Sequence, residues 1–152
     1  NPGDGAGKNT GTLFPGVMNP TRDEPAFLAI SQQLGFDPHH QVVSCPQSVG
    51  WGGAMGPAQF IPSTWALYAG RIAAADGKSV ANPWDPQDAI TAMGYLLADA
   101  GAAAGGYTAE HTAAAKYYAG GGWATYGQTY ANQVMARVAA IQQNIDFLAN
   151  NS

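Results

Sequence analysis

Apolar residues recur along this chain mostly at the three- and four-residue spacing of helical faces, and turn-forming residues punctuate them. From Arg22 to Leu34 a short helix is predicted, with Phe27, Leu28, Ile30 and Leu34 marking its apolar side and Gly35 stopping it. Pro62 to Ala75 reads as a second helix, since proline suits a first turn and Asp76-Gly77 closes it. Asp85 is an N-cap, with Pro86 at the first helical position and Asp88 in the first turn. That helix is predicted to run to about Ala103, with Ile90, Met93, Leu96 and Leu97 at core spacing. Thr108 opens another helix through Tyr118, broken by Gly120-Gly121-Gly122. The last helix spans about Gly127 to Leu148, with Tyr130, Val134, Met135, Val138, Ile141 and Ile145 forming one apolar stripe. Strand signals are weak, and Gln41 to Ser44 is the one short candidate. Asn1 to Met18, interrupted by Gly3, Gly5, Gly7 and Gly11, reads as loop, and Asp37 to Gly53 as an irregular connection.

Composition narrows the function classes. A chain of 152 residues can bury one core of its own. A net charge of −4 with six lysines and arginines leaves no basic patch for nucleic acid. No stretch has the apolar length of a transmembrane helix, and Asn1 to Thr12 lacks the apolar core of a signal peptide. His39 and His40 are adjacent, so they point in different directions, and no third ligand lies nearby; neither a metal nor another cofactor is expected. Gly7-Lys8 is not a phosphate loop, because Pro2 replaces the required glycine and Asn9 the hydroxyl residue.

The run from Trp51 to Trp65 carries the chemistry. Gly53 and Gly56 flank Ala54-Met55, where a missing side chain lets a backbone come close to a ligand. Gln59 offers one acceptor and one donor group, which suits a sugar hydroxyl or an N-acetyl group. Taken alone, this pattern is better read as a Gly/Pro-rich turn entering an ordinary core helix.

Gly53-Ala54-Met55-Gly56-Pro57-Ala58-Gln59-Phe60-Ile61-Pro62-Ser63 resembles the Gly-Ala-x-Gly-x-x-Gln-Phe-x-Pro-Ser signature of lytic murein transglycosylases, nearest the membrane-bound lytic transglycosylase B type. Asn82-Pro83-Trp84-Asp85-Pro86-Gln87-Asp88-Ala89-Ile90 is similar to that group's Trp-Asp-Pro-x-Asp-Ala-Ile helix start. Lys116-Tyr117-Tyr118-Ala119-Gly120 is similar to the Ala-Tyr-Asn-Ala-Gly segment of the wider lysozyme-like superfamily, with Tyr118 in place of asparagine. The resemblance implies a mainly α, lysozyme-like fold with its helices in two lobes around a glycan-binding cleft. It implies a catalytic domain over residues 22–152, preceded by an N-terminal loop, 1–21, that continues an upstream segment.

These enzymes work with one glutamate, in a Glu-Ser dipeptide ahead of the glycine signature. The chain's two glutamates, Glu24 and Glu110, are not followed by serine. Glu24 reads as part of a capping box, Thr21-Arg22-Asp23-Glu24, and Glu110 as a first-turn carboxylate favoured by the helix dipole. The resemblance thus places the acid upstream of Asn1 and leaves Glu24 as a weak substitute. It also implies a cysteine shortly after the Glu-Ser segment, to which Cys45 would bridge; otherwise Cys45 is a small buried hydrophobe.

The implied reaction cleaves the β-1,4 bond between MurNAc and GlcNAc in peptidoglycan, outside the cytoplasm, and leaves 1,6-anhydro-MurNAc ends. By resemblance Gln59 hydrogen-bonds the saccharide, and Gly53, Ala54 and Met55 line the cleft, with Met55 against an apolar sugar face. Tyr117 contacts the N-acetyl group or the acid, beside Tyr118. Trp51, Trp123 and Tyr126 are candidates for stacking on sugar rings, while Trp65 and Trp84 read as core. Two other readings stay open: a relative without the acid that binds glycan or serves a structural role at the cell surface, and a muramidase-type hydrolase.

Overall fold

The structure is a computed structural model that describes residues 16–46 and 50–151. Helices dominate it, as the periodicity requires: α1 (Glu24–Leu34), α2 (Pro62–Ala75), α3 (Pro86–Asp99), α4 (Tyr107–Ala119), α5 (Trp123–Tyr126) and α6 (Gln128–Asn150). The chain divides into two compact units, Asn1–Met93 and Gly94–Ser152, with the division inside α3. Most of the predicted N-terminal loop, residues 1–15, lies outside the described residues.

In the first unit, α1 packs on α2. Proline stands in the first turn of each, and Gly35 ends α1 in the left-handed conformation at φ 68°. The start of α1 differs from expectation. Asn19, not Thr21, organises that turn: its Oδ1 accepts the Thr21 and Arg22 N–H groups and the Thr21 hydroxyl. The Glu24 N–H goes to the Asn19 carbonyl, so there is no Thr21–Glu24 capping box, and the helix begins at Glu24 instead of Arg22. Phe27 and Ile30 are buried, while Leu28 is exposed. The core of this unit also holds Met18, Val43, Met55, Phe60, Trp65 and Ile72. Trp65 meets Phe60 edge-on at 5.7 Å.

Asp85 caps α3 as predicted, accepting the N–H groups of Gln87 and Asp88 at 2.8 and 3.3 Å. Ala89 and Ala92 form the buried face of this helix and Ile90 is exposed, a correction to the expected stripe. The helix ends at Asp99, where Gly101 takes φ 111°, and a single 3-10 turn follows at Ala102–Ala104 in place of the predicted extension to Ala103. Gln41 to Ser44 forms no strand; Val43 makes one isolated bridge with Met55.

In the second unit, the triglycine folds as a 3-10 turn between α4 and α5. Ala114 and Ala115 of α4 meet Ala131 of α6, with Trp123 and Val134 against them. Small side chains let the backbones approach closely: a Cβ on Gly127 would lie 2.5 Å from the Ala115 carbonyl oxygen. Of the predicted α6 stripe only Met135 is buried, beside Ala131, which the stripe did not include; Tyr130 and Val134 are half-buried, and Val138, Ile141 and Ile145 are exposed.

Candidate functional site

The glycine run is a tight double turn tied to its own surroundings. The Gly52 N–H bonds Val17 O, the Gly53 N–H bonds Ser44 O, the Ala54 N–H bonds Ser44 Oγ, and the Met55 N–H bonds Phe60 O. A Cβ on Gly53, where φ is 95°, would sit 2.6 Å from Met18 Cβ. One on Gly56, where φ is 61°, would sit 1.8 Å from the Pro83 carbonyl oxygen. The space beside these glycines is therefore filled by the protein's own chain and not left open to a ligand. Met55 is a second correction: with 1% of its surface exposed, its side chain is core and has no face to lay against a sugar.

Gln59 closes the turn at φ 55°, the one described residue other than glycine with a positive φ. That conformation costs a side-chain-bearing residue of order 1–2 kcal/mol. Its Nε2 donates to Gly56 O at 2.8 Å, and its backbone N–H reaches the same oxygen at 3.2 Å. Because that carbonyl must receive a donor, Oε1 is the end left over, and it accepts no bond among the described residues. The side chain is partly exposed, so a strained backbone presents a fixed acceptor at the surface. Trp51, just before the turn, is 46% exposed.

Behind the turn, Asp23 is fully buried and accepts the Ser63 hydroxyl at 2.6 Å and the Ser63 N–H at 3.4 Å. Its other oxygen receives Arg22 at 2.6 and 3.0 Å. Burial pushes this carboxyl's pKa upward, but the bonds from Arg22 and Ser63 outweigh it and hold it below the usual value. Residue patterning missed Asp23, which sits among residues that read as a local cap. Trp84 is half-buried, with its Nε1–H donating to Val42 O at 2.9 Å and edge contacts to Phe27 and Phe36, whereas Trp65 is core as expected.

The tyrosines lie in the second unit. Tyr117 is half-buried; burial, helped by neighbouring Tyr130, pushes its phenol well above the ordinary value and keeps it neutral. Tyr118 is exposed and stacks on Tyr130 with centroids 4.9 Å apart. Tyr126 is exposed and leans over Gly122, where an added Cβ would lie 3.1 Å from its ring. Trp123 packs against the alanine cluster, which favours core over sugar stacking, with Lys116 Nζ 5.9 Å from its ring centre.

The two glutamates sit in first turns, Glu24 on α1 and Glu110 on α4. Among the described residues no His, Cys, Asp and Glu cluster could hold a metal ion, and no helix is long and apolar enough to cross a membrane. A groove of about 420 Å³ between α1 and α2, lined by Ala26, Ala29, Ala66, Ala69 and Ala73, includes none of the signature residues.

The mainly helical fold, with this Gly-to-Gln turn in its first unit, is that of a lysozyme-like domain. The transglycosylase SLT domain family matches residues 25–144, and the chain belongs to that family of lytic transglycosylases, whose substrate is peptidoglycan. Comparison with curated proteins and with solved structures finds no match.

Proposed function

We propose that this domain cleaves the β-1,4 bond between MurNAc and GlcNAc by intramolecular transfer, leaving 1,6-anhydro-MurNAc ends, in the manner of the membrane-bound lytic transglycosylase B type. The observation that carries this reading is Gln59: the glutamine of the run that resembles the transglycosylase signature, held in a strained conformation, with a carbonyl oxygen that accepts no bond among the described residues. Such an acceptor takes a hydroxyl or N-acetyl N–H of the saccharide beside the scissile bond. Trp51 offers a flat apolar face to the same glycan. On the second unit, the exposed rings of Tyr118 and Tyr126 and the neutral phenol of Tyr117 offer further sugar contacts.

The reaction needs one glutamic acid, protonated to assist the leaving oxygen. The MurNAc 6-hydroxyl then attacks C1 while the same carboxylate takes up its proton. Glu24 and Glu110 serve as first-turn residues, and the general acid is a glutamate other than these two. The site of action is outside the cytoplasm, where peptidoglycan lies.

The test is muropeptide analysis of purified sacculi after incubation with the native full-length protein. Release of 1,6-anhydromuropeptides, retained in Glu24→Gln and lost in Gln59→Ala, supports the proposal. Reducing-end products would mean a muramidase, and glycan binding without release a non-catalytic relative.

A further inference from the structure

The second half of α6 carries an apolar seam that the monomer leaves open. Every residue from 136 to 150 is exposed, including Val138, Ile141 (58%), Ile145 and Leu148 (66%). Val134, Val138, Ile141, Ile145 and Leu148 follow one another at alternating steps of four and three, the repeat of a coiled-coil seam and narrower than the stripe of a helix buried in a globular core. The positions flanking the open seam are Arg137, Gln142, Asn144 and Ala149, so Arg137 is the one charge beside it, and in an antiparallel pair the two Arg137 side chains stand at opposite ends.

We propose that α6 pairs with α6 of a second copy of this chain, antiparallel, to form a dimer. Orientation follows from what is already covered. Toward its N-terminal end the same face of α6 is occupied: Ala131 and Val134 lie against α4 and Trp123. A parallel partner would bring the two occupied halves together. An antiparallel partner joins only the open halves, setting Val138 against Leu148 and Ile141 against Ile145 of the second copy in a two-fold, isologous contact.

Charge agrees with that orientation. Arg137 and Asp146 are the charged residues of α6. Asp146 is engaged by Gln142 Nε2 at 2.8 Å, whereas Arg137 makes no hydrogen bond or ion pair among the described residues. The last turn of α6 has no basic residue of its own. In the antiparallel pair, Arg137 reaches the C-terminal end of the partner helix, where the final carbonyls carry partial negative charge. Two heptads make a short seam, so the dimer is a reversible one that grows in with concentration.

The experiment is sedimentation equilibrium of the full chain over a range of concentrations. A monomer–dimer equilibrium is expected, weakened by about a hundredfold or more in Ile141→Lys, because an ammonium buried in the seam lacks a partner. Arg137→Glu weakens it less. Ile141 is exposed in the monomer, so the helical circular dichroism of Ile141→Lys stays unchanged and a folding defect is separable. In a Cys45→Ser background, Val138→Cys mixed with Leu148→Cys yields a disulfide-linked heterodimer, whereas each alone does not, since a disulfide needs Cα atoms within about 7 Å. A monomer at every concentration, a dimer indifferent to Ile141→Lys, or self-crosslinking of Val138→Cys would overturn the proposal.

Discussion

Asp23 and Ser63, 40 residues apart, are joined by a 2.6 Å hydrogen bond that ties the start of α1 to the start of α2. The N-cap of α2 is Ile61, which has no side-chain oxygen, so the buried Asp23 carboxylate serves the helix end from a distance. Negative charge is favoured there by the helix dipole. The same bond secures the residues that follow Gln59, so the strained turn is anchored from behind.

Replacing Asp23 with alanine is expected to cost about 2–3 kcal/mol, the scale of charge-assisted hydrogen bonds lost from a buried site. Arg22 is half exposed and can return to water, which keeps the loss below that of breaking a fully buried pair. Urea titration checks this: the midpoint falls while the slope holds. An unchanged midpoint would show that Asp23 contributes no net stability.

The pH dependence follows from the same carboxyl. Its pKa in the folded protein is lowered, so its contribution is fully present above the unfolded value of about 3.9 and is lost as pH falls through the lower folded value. Lys78, raised by its bond to Asp88, contributes until pH climbs above about 10.4 and on through the raised folded value. Thermal melting should therefore be nearly level between these limits as far as these two groups decide it. Below about pH 4 the wild type should lose more than Asp23→Asn does. Parallel acid profiles for the two would remove Asp23 from the account.

At Gln59 the strain and the chemistry can be separated. Gln59→Ala keeps the left-handed backbone and loses the bond to Gly56 O, whereas Gln59→Gly loses the bond but adopts φ 55° freely. The glycine variant should be more stable than the alanine variant by about 1 kcal/mol. Both should lose turnover on sacculi, since each lacks the acceptor. Equal stability would mean that the turn relaxes and stores no strain at this residue.

Much of the architecture was legible because local chemistry and tertiary packing agreed. Gly35, Pro62 and Asp85 mark element ends in the sequence and do so in the structure. The α3 and α6 stripes misled because periodicity reports that a face is apolar, not which neighbour covers it. On α3 the buried positions went to Ala89 and Ala92, and Ile90 faces outward. Within the candidate site, Gln59 was readable as a motif, but its backbone strain was not. Asp23 was illegible because its partner Ser63 is distant in sequence, and Met55 because a side chain beside glycines gives no sign of its direction.

The glycines of the signature make a paired test. Gly56→Ala must place a methyl group 1.8 Å from the Pro83 carbonyl oxygen at a positive φ, so the turn and the segment leading into α3 would have to separate. A loss of at least about 3 kcal/mol, or failure to fold, is expected from such a backbone clash. Gly94→Ala, in α3 with nothing within 4 Å, should instead stabilise by about 0.5–1 kcal/mol. Thermal shifts of opposite sign in the two variants are the expected result. A tolerant Gly56→Ala would mean that the glycine signature does not depend on close backbone packing.

Trp51 should behave in the opposite way to Gly56, affecting glycan and not fold. Nearly half of its surface is exposed, so Trp51→Ala should change stability by no more than about 0.5 kcal/mol. If the ring stacks on a sugar, its removal should weaken binding to purified sacculi by roughly tenfold, equivalent to about 1.4 kcal/mol. Trp51→Phe retains a flat apolar ring and should recover most of the affinity. Because recovery by phenylalanine requires a stacking contact, it distinguishes a sugar platform from a residue that only covers the turn. Unchanged binding in the alanine variant would remove Trp51 from the glycan site and leave Gln59 as the first unit's contact.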